Sequence, residues 1–183
     1  MSQYVALLRG INVGGKNLIK MTELKICFEQ QGFQDVTTYI QSGNVLFKSG
    51  ESARAQLTRR IESVVAETFN CRASVVLRSQ KQMRDIVERA PHGFGAHPAE
   101  YRYDVIFLKE PLTASTAMKS VLTRQGVDQA HAGIGVLYFS RLISKASQSQ
   151  LSRLVSLPIY KSMTIRNWNT TTKLARMMDG PQK

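Results

Sequence analysis

The sequence predicts an α+β protein made of two tandem ferredoxin-like halves, each with the element order β-α-β-β-α-β, followed by an added C-terminal helix. Short apolar runs typical of strands alternate with stretches in which apolar residues recur at helical spacing. This succession occurs twice, on either side of residues 90–99, which contain two of the five prolines and two glycines. We therefore assign residues 1–90 to the first half, residues 100–183 to the second half with its C-terminal helix, and residues 90–99 to a linker.

The first half begins with an apolar strand over residues 4–9, followed by a Gly-rich loop over residues 10–17. Thr22 is a suitable N-cap for a helix that carries Leu24 and Phe28 on its apolar face. The remaining elements of this half are strands over 36–40 and 44–48 joined by a hairpin loop, a helix over 52–69, a strand over 72–78 and a connecting helix over 79–89.

The second half repeats this order. Its predicted elements are a strand over 101–108, a helix over 113–122, a strand pair over 126–131 and 136–141, a helix over 147–155, a strand over 163–168 and a last helix over 170–178. The segments GNVLF (43–47) and GVLYF (135–139) occupy corresponding strands. The matching order of elements, more than this slight identity, supports the tandem arrangement.

Basic residues outnumber acidic ones by 25 to 13, which gives the 183-residue chain a formal charge of +12. Residues 111–183 hold ten Lys and Arg against two acidic residues, so most of the excess lies in the second half. Such an excess favours an anionic partner, namely nucleic acid, a phosphate group or an acidic surface. A basic surface without such a partner is the alternative.

Several classes of protein are excluded. No apolar stretch approaches the roughly 18 residues that span a membrane, and the run over 5–8 is too short for the apolar region of a signal peptide. We therefore expect a cytoplasmic protein with no membrane contact. Hydrophobic residues make up 43% of the chain, which is enough for a packed core and excludes a disordered chain.

Metal and cofactor chemistry is not expected. Cys27 and Cys71 lie 44 positions apart and form no C-x-x-C motif, so neither a zinc site nor a disulfide is indicated. His92 and His97 lie in the Gly- and Pro-rich segment, and His131 stands alone, so we expect solvated histidines here. We predict no metal ligand and no cofactor.

The Gly-rich loop, Gly10-Ile-Asn-Val-Gly-Gly15-Lys16-Asn17, nearly fits the phosphate-binding pattern G-x-x-x-x-G-K-S/T. Its glycines would let backbone N–H groups approach phosphate oxygens, and Lys16 would add a charge. Asn17 replaces the hydroxyl residue that holds Mg²⁺, and residues 18–21 delay the helix, which argues against an ATPase. Two interpretations stay open: an anion-contacting loop beside Arg9, and a wide turn whose glycines take positive φ.

The segment Arg166-Asn-Trp-Asn-Thr-Thr-Thr-Lys173 contains the only tryptophan. A cap at Asn169 or Thr170 would leave free N–H groups at the start of the last helix, with basic residues nearby. That arrangement suits a phosphate or carboxylate. The alternative is that Trp168 anchors the core and the polar residues only cap the helix.

Three motifs together resemble the bacterial family of unknown function DUF1697. They are Leu8-Arg-Gly-Ile-Asn-Val-Gly-Gly-Lys-Asn17, Tyr39-Ile-Gln-Ser-Gly-Asn-Val-Leu-Phe47 and Arg166-Asn-Trp-Asn-Thr170. The resemblance implies a cytoplasmic bacterial protein whose two ferredoxin-like halves form one DUF1697 domain. It implies no reaction, ligand or catalytic residue. Thr171 departs from the family pattern, in which an apolar residue is commoner.

The sequence supports three kinds of function. The first is a protein that binds a small phosphate- or carboxylate-bearing ligand between the halves, where the Gly-rich loop and the C-terminal segment would converge. The second is sequence-tolerant binding of nucleic acid through charge, since no RRM motif is present. The third is a protein–protein interaction module, because ferredoxin-like sheets can pair edge to edge.

For the small-ligand hypothesis, the candidate binding residues fall in the three motifs. They are Arg9, Asn12, Gly14, Gly15, Lys16, Ser42, Asn44, Arg166, Asn167 and Lys173. The cationic side chains would contact the anion, and the Asn and Ser side chains would orient it by hydrogen bonds. Spacing identifies no set of nucleophile, base and orienting group, so whether the protein is an enzyme stays open.

Overall fold

The computed structural model describes residues 1–12, 14–15 and 18–180. The α+β class is confirmed, because the chain forms two four-stranded antiparallel sheets together with helices. The strands are β1 (Ser2–Arg9), β2 (Gln34–Tyr39), β3 (Asn44–Ser49), β4 (Ser74–Ser79), β5 (Tyr101–Leu108), β6 (Asp128–Ala132), β7 (Val136–Leu142) and β8 (Met163–Asn167). The α-helices are α1 (Met21–Gln30), α2 (Arg54–Phe69), α3 (Gln80–Glu88), α4 (Ala114–Met118), α5 (Leu151–Ser156) and α6 (Trp168–Asp179).

Residue contacts divide the chain into two compact units. The first comprises Met1–Met83 and the residues from Leu174 onward, and the second comprises Arg84–Lys173. The divisions therefore fall inside α3 and α6, whereas the sequence places its boundary at residues 90–99. One hydrogen bond in each unit is consistent with this division. In the second unit the Tyr138 hydroxyl donates to the Ile86 carbonyl at 2.7 Å. In the first, the Gln80 side chain donates to the Met178 carbonyl at 2.7 Å.

The first sheet has the strand order β2-β3-β1-β4, with β1 antiparallel to both β3 and β4. Side chains alternate along a strand, so Tyr4, Ala6 and Leu8 of β1 all face the core that α1 and α2 complete. Phe28 of α1 meets Phe47 of β3 edge to face there, with ring centroids 5.4 Å apart. This packing fixes the end of β1, from which the Gly-rich loop departs.

The second sheet has the strand order β6-β7-β5-β8. Ile106 of β5 packs with Phe139 of β7 and Leu154 of α5 in its core. Arg102 and Asp104 share the alternation of Ile106, so they continue the same face of the sheet toward the start of β5. The helix-covered face thus passes from an apolar core into a charged end.

Residues 90–99, predicted to be a linker, pack onto the second sheet instead. Phe94 makes edge-to-face contacts with Tyr103, Tyr138 and Trp168, at centroid distances of 5.0, 5.3 and 5.2 Å. Gly95 has a φ of +89°, and a Cβ at this position would lie 2.5 Å from Cδ1 of Trp168. An aromatic anchor and a glycine that permits close approach therefore hold this segment in the second unit.

Three helix predictions need correction. The α1 helix begins at Met21 after the extended residue Lys20, which makes no side-chain cap bond, so the predicted cap at Thr22 is wrong. The helix predicted over 113–122 is shorter, because α4 is capped by Thr113 and ends at Met118. The predicted helix over 147–155 is replaced by a 3₁₀ segment over 143–148 followed by α5. Short helices of this kind depend on tertiary packing more than on propensity.

In the part of the chain that the structure describes, no helix has both the length and the hydropathy needed to cross a membrane.

Candidate functional site

The Gly-rich loop is closed by its own asparagine. Asn12 accepts a hydrogen bond on Oδ1 from the Ile19 backbone N–H at 2.7 Å, and its Nδ2 donates to the carbonyls of Ile19 and Gln41, both at 3.0 Å. The side-chain amide is thus engaged by backbone groups at the base of the loop. Asn12 therefore clamps the loop, and its predicted role in orienting a ligand stays a prediction.

The hairpin motif of residues 39–47 is also held by internal hydrogen bonds. Asn44 is fully buried, and its Nδ2 donates to the Tyr39 carbonyl and to Ser42 Oγ, both at 2.9 Å. The Gly43 carbonyl accepts from the Leu8 N–H at 2.8 Å. These bonds tie the hairpin to the end of β1 and leave Asn44 and Ser42 with a structural role.

The other predicted binding residues of the first unit differ in how far they are exposed to solvent. Arg9 is half-buried, whereas Gly14 and Gly15 are exposed with φ of +58° and +74°. A Cβ on either glycine would meet no described atom within 4 Å, so backbone conformation rather than crowding requires glycine there. Lys16 lies outside the described residues, as do Val13 and Asn17 of the same loop.

The C-terminal motif contributes one of its three predicted residues to a cleft. Arg166 is buried, its Nη1 donates to the Ile165 carbonyl at 2.9 Å, and burial lowers its pKa to about 10. Lys173 is exposed in the second turn of α6 and does not line the cleft. Asn167, by contrast, is exposed at the end of β8 and lines the cleft described next.

A cleft of about 490 Å³ lies at one end of the second sheet, where β5 starts and β7 and β8 end. We call it the sheet-end cleft. Its charged lining residues are Arg102, Asp104 and Arg141. Arg102 pairs directly with Arg141 in the β5–β7 register, and Asp104 pairs with Asn167 in the β5–β8 register, so all four side chains project from the same face.

Asp104 and Arg141 face each other without a hydrogen bond. Asp104 Oδ2 lies 3.7 Å from Arg141 Nη2, which is too long for a hydrogen bond. Among the described residues, neither Asp104 Oδ2 nor Arg141 Nε has a hydrogen-bond partner, although both atoms are buried. Burial raises the pKa of Asp104 despite the opposing charges of Arg141 and Arg102. The lining of the cleft therefore contains a buried acceptor and a buried donor that make no hydrogen bond with the described residues.

The start of α6 adds a positive end to this cleft. The β8 strand runs directly into α6, and Asn167 Oδ1 accepts a hydrogen bond from the Thr170 backbone N–H at 2.7 Å, the geometry of an N-cap. The N–H groups of Trp168 and Asn169 precede the first intrahelical bonds of the helix. The aligned peptide dipoles make this end electropositive.

Aromatic residues also line the cleft. Tyr101, Tyr103 and Trp168 line the sheet-end cleft, and the first two rings lie 6.1 Å apart. A second pocket of about 280 Å³ also borders both tyrosines and contains the three histidines of the chain. The described residues contain no group of three or more His, Cys, Asp or Glu side chains placed to hold a metal ion.

Neither cysteine has the lowered pKa of an activated nucleophile. Cys27 and Cys71 are free and buried, and burial raises the pKa of each. Cys71 packs in the apolar core of the first unit, and the Cys27 thiol donates a weak hydrogen bond to Thr68 Oγ1 at 3.6 Å.

Sequence reasoning overlooked Arg102, Asp104 and Arg141. The signal was present, because Asp104 shares the alternation of Ile106 and Leu108, the core-facing residues of an otherwise apolar strand. A charged residue on the buried face of a strand is uncommon without a partner.

A family model described as "Protein of unknown function (DUF1697)" matches residues 1–138. A solved structure of a conserved bacterial protein from Streptococcus pneumoniae is similar, with a TM-score of 0.83 and 29% sequence identity. The alignment covers 97% of this chain and 98% of that protein. No protein of curated function matches. The range matched by the family model includes Arg102 and Asp104 of the sheet-end cleft, whereas Arg141 and the start of α6 lie beyond it.

Proposed function

Because this chain belongs to the DUF1697 family, whose description names no activity, we propose a function from the geometry of its second unit. The sheet-end cleft binds a small anionic ligand through its phosphate or carboxylate group. The ligand class is the one that the charge and the C-terminal motif predict, but the binding residues are largely different.

The convergence of three positive groups on one cleft carries this proposal. The guanidinium groups of Arg102 and Arg141 line it together with the electropositive start of α6. Guanidinium groups bind phosphate and carboxylate through paired hydrogen bonds, and helix starts favour anions. Asp104 is the only carboxylate among the described lining residues, so their formal charge is +1.

The expected affinity is modest, because Arg102 is exposed and its contact with an anion is partly screened by solvent.

Calorimetric titration of the full chain with inorganic phosphate at low ionic strength tests the proposal. R102Q removes an exposed charge from the cleft and should weaken binding about tenfold or more, which corresponds to about 1.4 kcal/mol. R59Q makes the same chemical change on the exposed side of α2 and serves as the matched control. No binding to the wild-type chain, or an equal loss in both variants, would contradict the proposal.

Nucleic-acid binding is a second candidate, supported by the formal charge of +12. Fluorescence anisotropy with single-stranded RNA and DNA at increasing salt tests it, since phosphate contacts make affinity fall steeply with salt. Binding through dispersed charge predicts that R102Q and R59Q weaken it equally. Binding that does not change with salt would count against this candidate.

Several sequence-based inferences remain proposals. The β-α-β-β-α-β order and the strand order of each sheet support ferredoxin-like units. The bacterial relative supports a bacterial protein, and we keep the cytoplasmic location as an inference. Anion contact by the Gly-rich loop and edge-to-edge assembly also remain predictions, the latter testable by light scattering.

A further inference from the structure

Two residues of the sheet-end cleft each carry a buried polar atom without a hydrogen-bond partner among the described residues. Asp104 is 8% exposed, and its Oδ2 accepts no hydrogen bond from any described residue. Arg141 Nε, also buried, likewise donates to none of them. Buried polar groups in native proteins are almost always hydrogen-bonded, so an exception inside a cleft points to a missing partner.

We propose that the ligand of the sheet-end cleft is zwitterionic, with a protonated amino group that binds Asp104 beside an anionic group that binds Arg102 and Arg141. This inference rests on the anion binding proposed above and narrows its ligand class. The class is a small amino-bearing phosphate or carboxylate.

The hydrogen-bonding chemistry of the two side chains favours such a ligand. An ionised carboxylate only accepts hydrogen bonds, and a guanidinium only donates them. A ligand that completes the bonding of both atoms must therefore present a donor to Asp104 and an acceptor to Arg141. Bonds between an ammonium and a carboxylate are among the strong, charge-assisted ones.

The formal charge of the cleft agrees with this assignment. The described lining residues carry a formal charge of +1, which matches a ligand with one ammonium and a doubly ionised phosphate. A simple phosphate would instead place its whole negative charge near Asp104.

The sheet geometry sets the length of the ligand. Arg102 and Asp104 are two residues apart on one strand, so their Cα atoms lie about 7 Å apart. Their side chains project from the same face, which brings an anion site and an amino site to adjacent positions. A linker of two or three atoms between the amino and acidic groups fits this spacing.

Two matched pairs of probes test the proposal by calorimetric titration of the full chain. O-phosphoethanolamine is compared with ethyl phosphate, which lacks the amino group, and β-alanine is compared with propionate. We expect the amino-bearing member to bind about tenfold or more tightly in the pair whose acidic group the cleft accepts. The pair that shows this preference identifies phosphate or carboxylate as the anionic group.

D104N removes the charged acceptor with little change in shape, and circular dichroism checks that it folds. We expect this variant to lose the preference for the amino group while it binds ethyl phosphate at least as tightly as the wild-type chain does. R102Q should weaken both members of a pair and keep the preference.

The outcomes separate the two proposals. Equal binding of both members of each pair to the wild-type chain, or a preference that survives in D104N, overturns the zwitterion proposal and leaves anion binding intact. Failure of all four probes to bind overturns anion binding itself.

Discussion

Replacement of Gly95 by alanine tests the packing of residues 90–99 on the second sheet. Gly95 has a φ of +89°, and an added Cβ would lie 2.5 Å from Cδ1 of the Trp168 ring. The left-handed conformation costs an alanine about 1–2 kcal/mol, and a crowded contact costs about 1–3 kcal/mol. We therefore expect G95A to lower the free energy of unfolding by about 2–5 kcal/mol.

Gly93 supplies the matched control because it lies in the same segment with a φ of +77°, yet a Cβ there would meet no described atom within 4 Å. G93A should thus lose only the conformational part, about 1–2 kcal/mol. Urea denaturation followed by the fluorescence of Trp168, the only tryptophan, measures both variants. Equal losses in G95A and G93A would refute the claim that Gly95 is required by its approach to the indole.

Three further predictions concern the clamp, the cap and the buried carboxyl. N12A removes three hydrogen bonds at the base of the Gly-rich loop and should lower the free energy of unfolding by about 2–3 kcal/mol, measured by urea denaturation. A decrease below about 0.5 kcal/mol would contradict the clamping role of Asn12. N167A removes the cap of α6 and should lower the free energy of unfolding by about 1 kcal/mol. N169A, at an exposed neighbouring position, should leave stability nearly unchanged. A thermal-melting comparison in which N169A is the less stable variant would exclude this cap. Because burial raises the pKa of Asp104, the folded chain binds more protons than the unfolded chain, and stability falls as the pH rises from the ordinary aspartate range through the raised pKa. D104N should therefore gain stability relative to the wild-type chain as the pH rises above the ordinary aspartate range, and a difference that does not change with pH would contradict the raised pKa.

The strands follow closely from sequence pattern. β5 has the bounds that its apolar run predicts, 101–108, and β3 starts at Asn44 as the hairpin loop requires. Strand patterns are robust here because alternate residues must face a core. Helices are predicted less well, since α4 and α5 are short and their ends depend on packing.

The candidate site, unlike the strands, could not be predicted from the sequence pattern. Asn12 and Asn44 attract attention as polar residues in distinctive motifs, but their partners are backbone groups such as the Gln41 and Tyr39 carbonyls. Arg166 is a cation in sequence and a buried strand residue in the structure. Spacing does not show whether a polar side chain turns toward the backbone, the interior or a cleft, because that depends on the register of strands distant in sequence.

The sequence by itself determined the α+β class, the order of the elements, the family and the regional excess of positive charge. These follow from local periodicity, composition and motifs, which one chain contains in full. Only the tertiary structure decided that Arg102, Asp104, Arg141 and the start of α6 share one cleft. Residues from 102 to 169 meet there because antiparallel pairing places the start of β5 beside the ends of β7 and β8, and that register is set by the folded core.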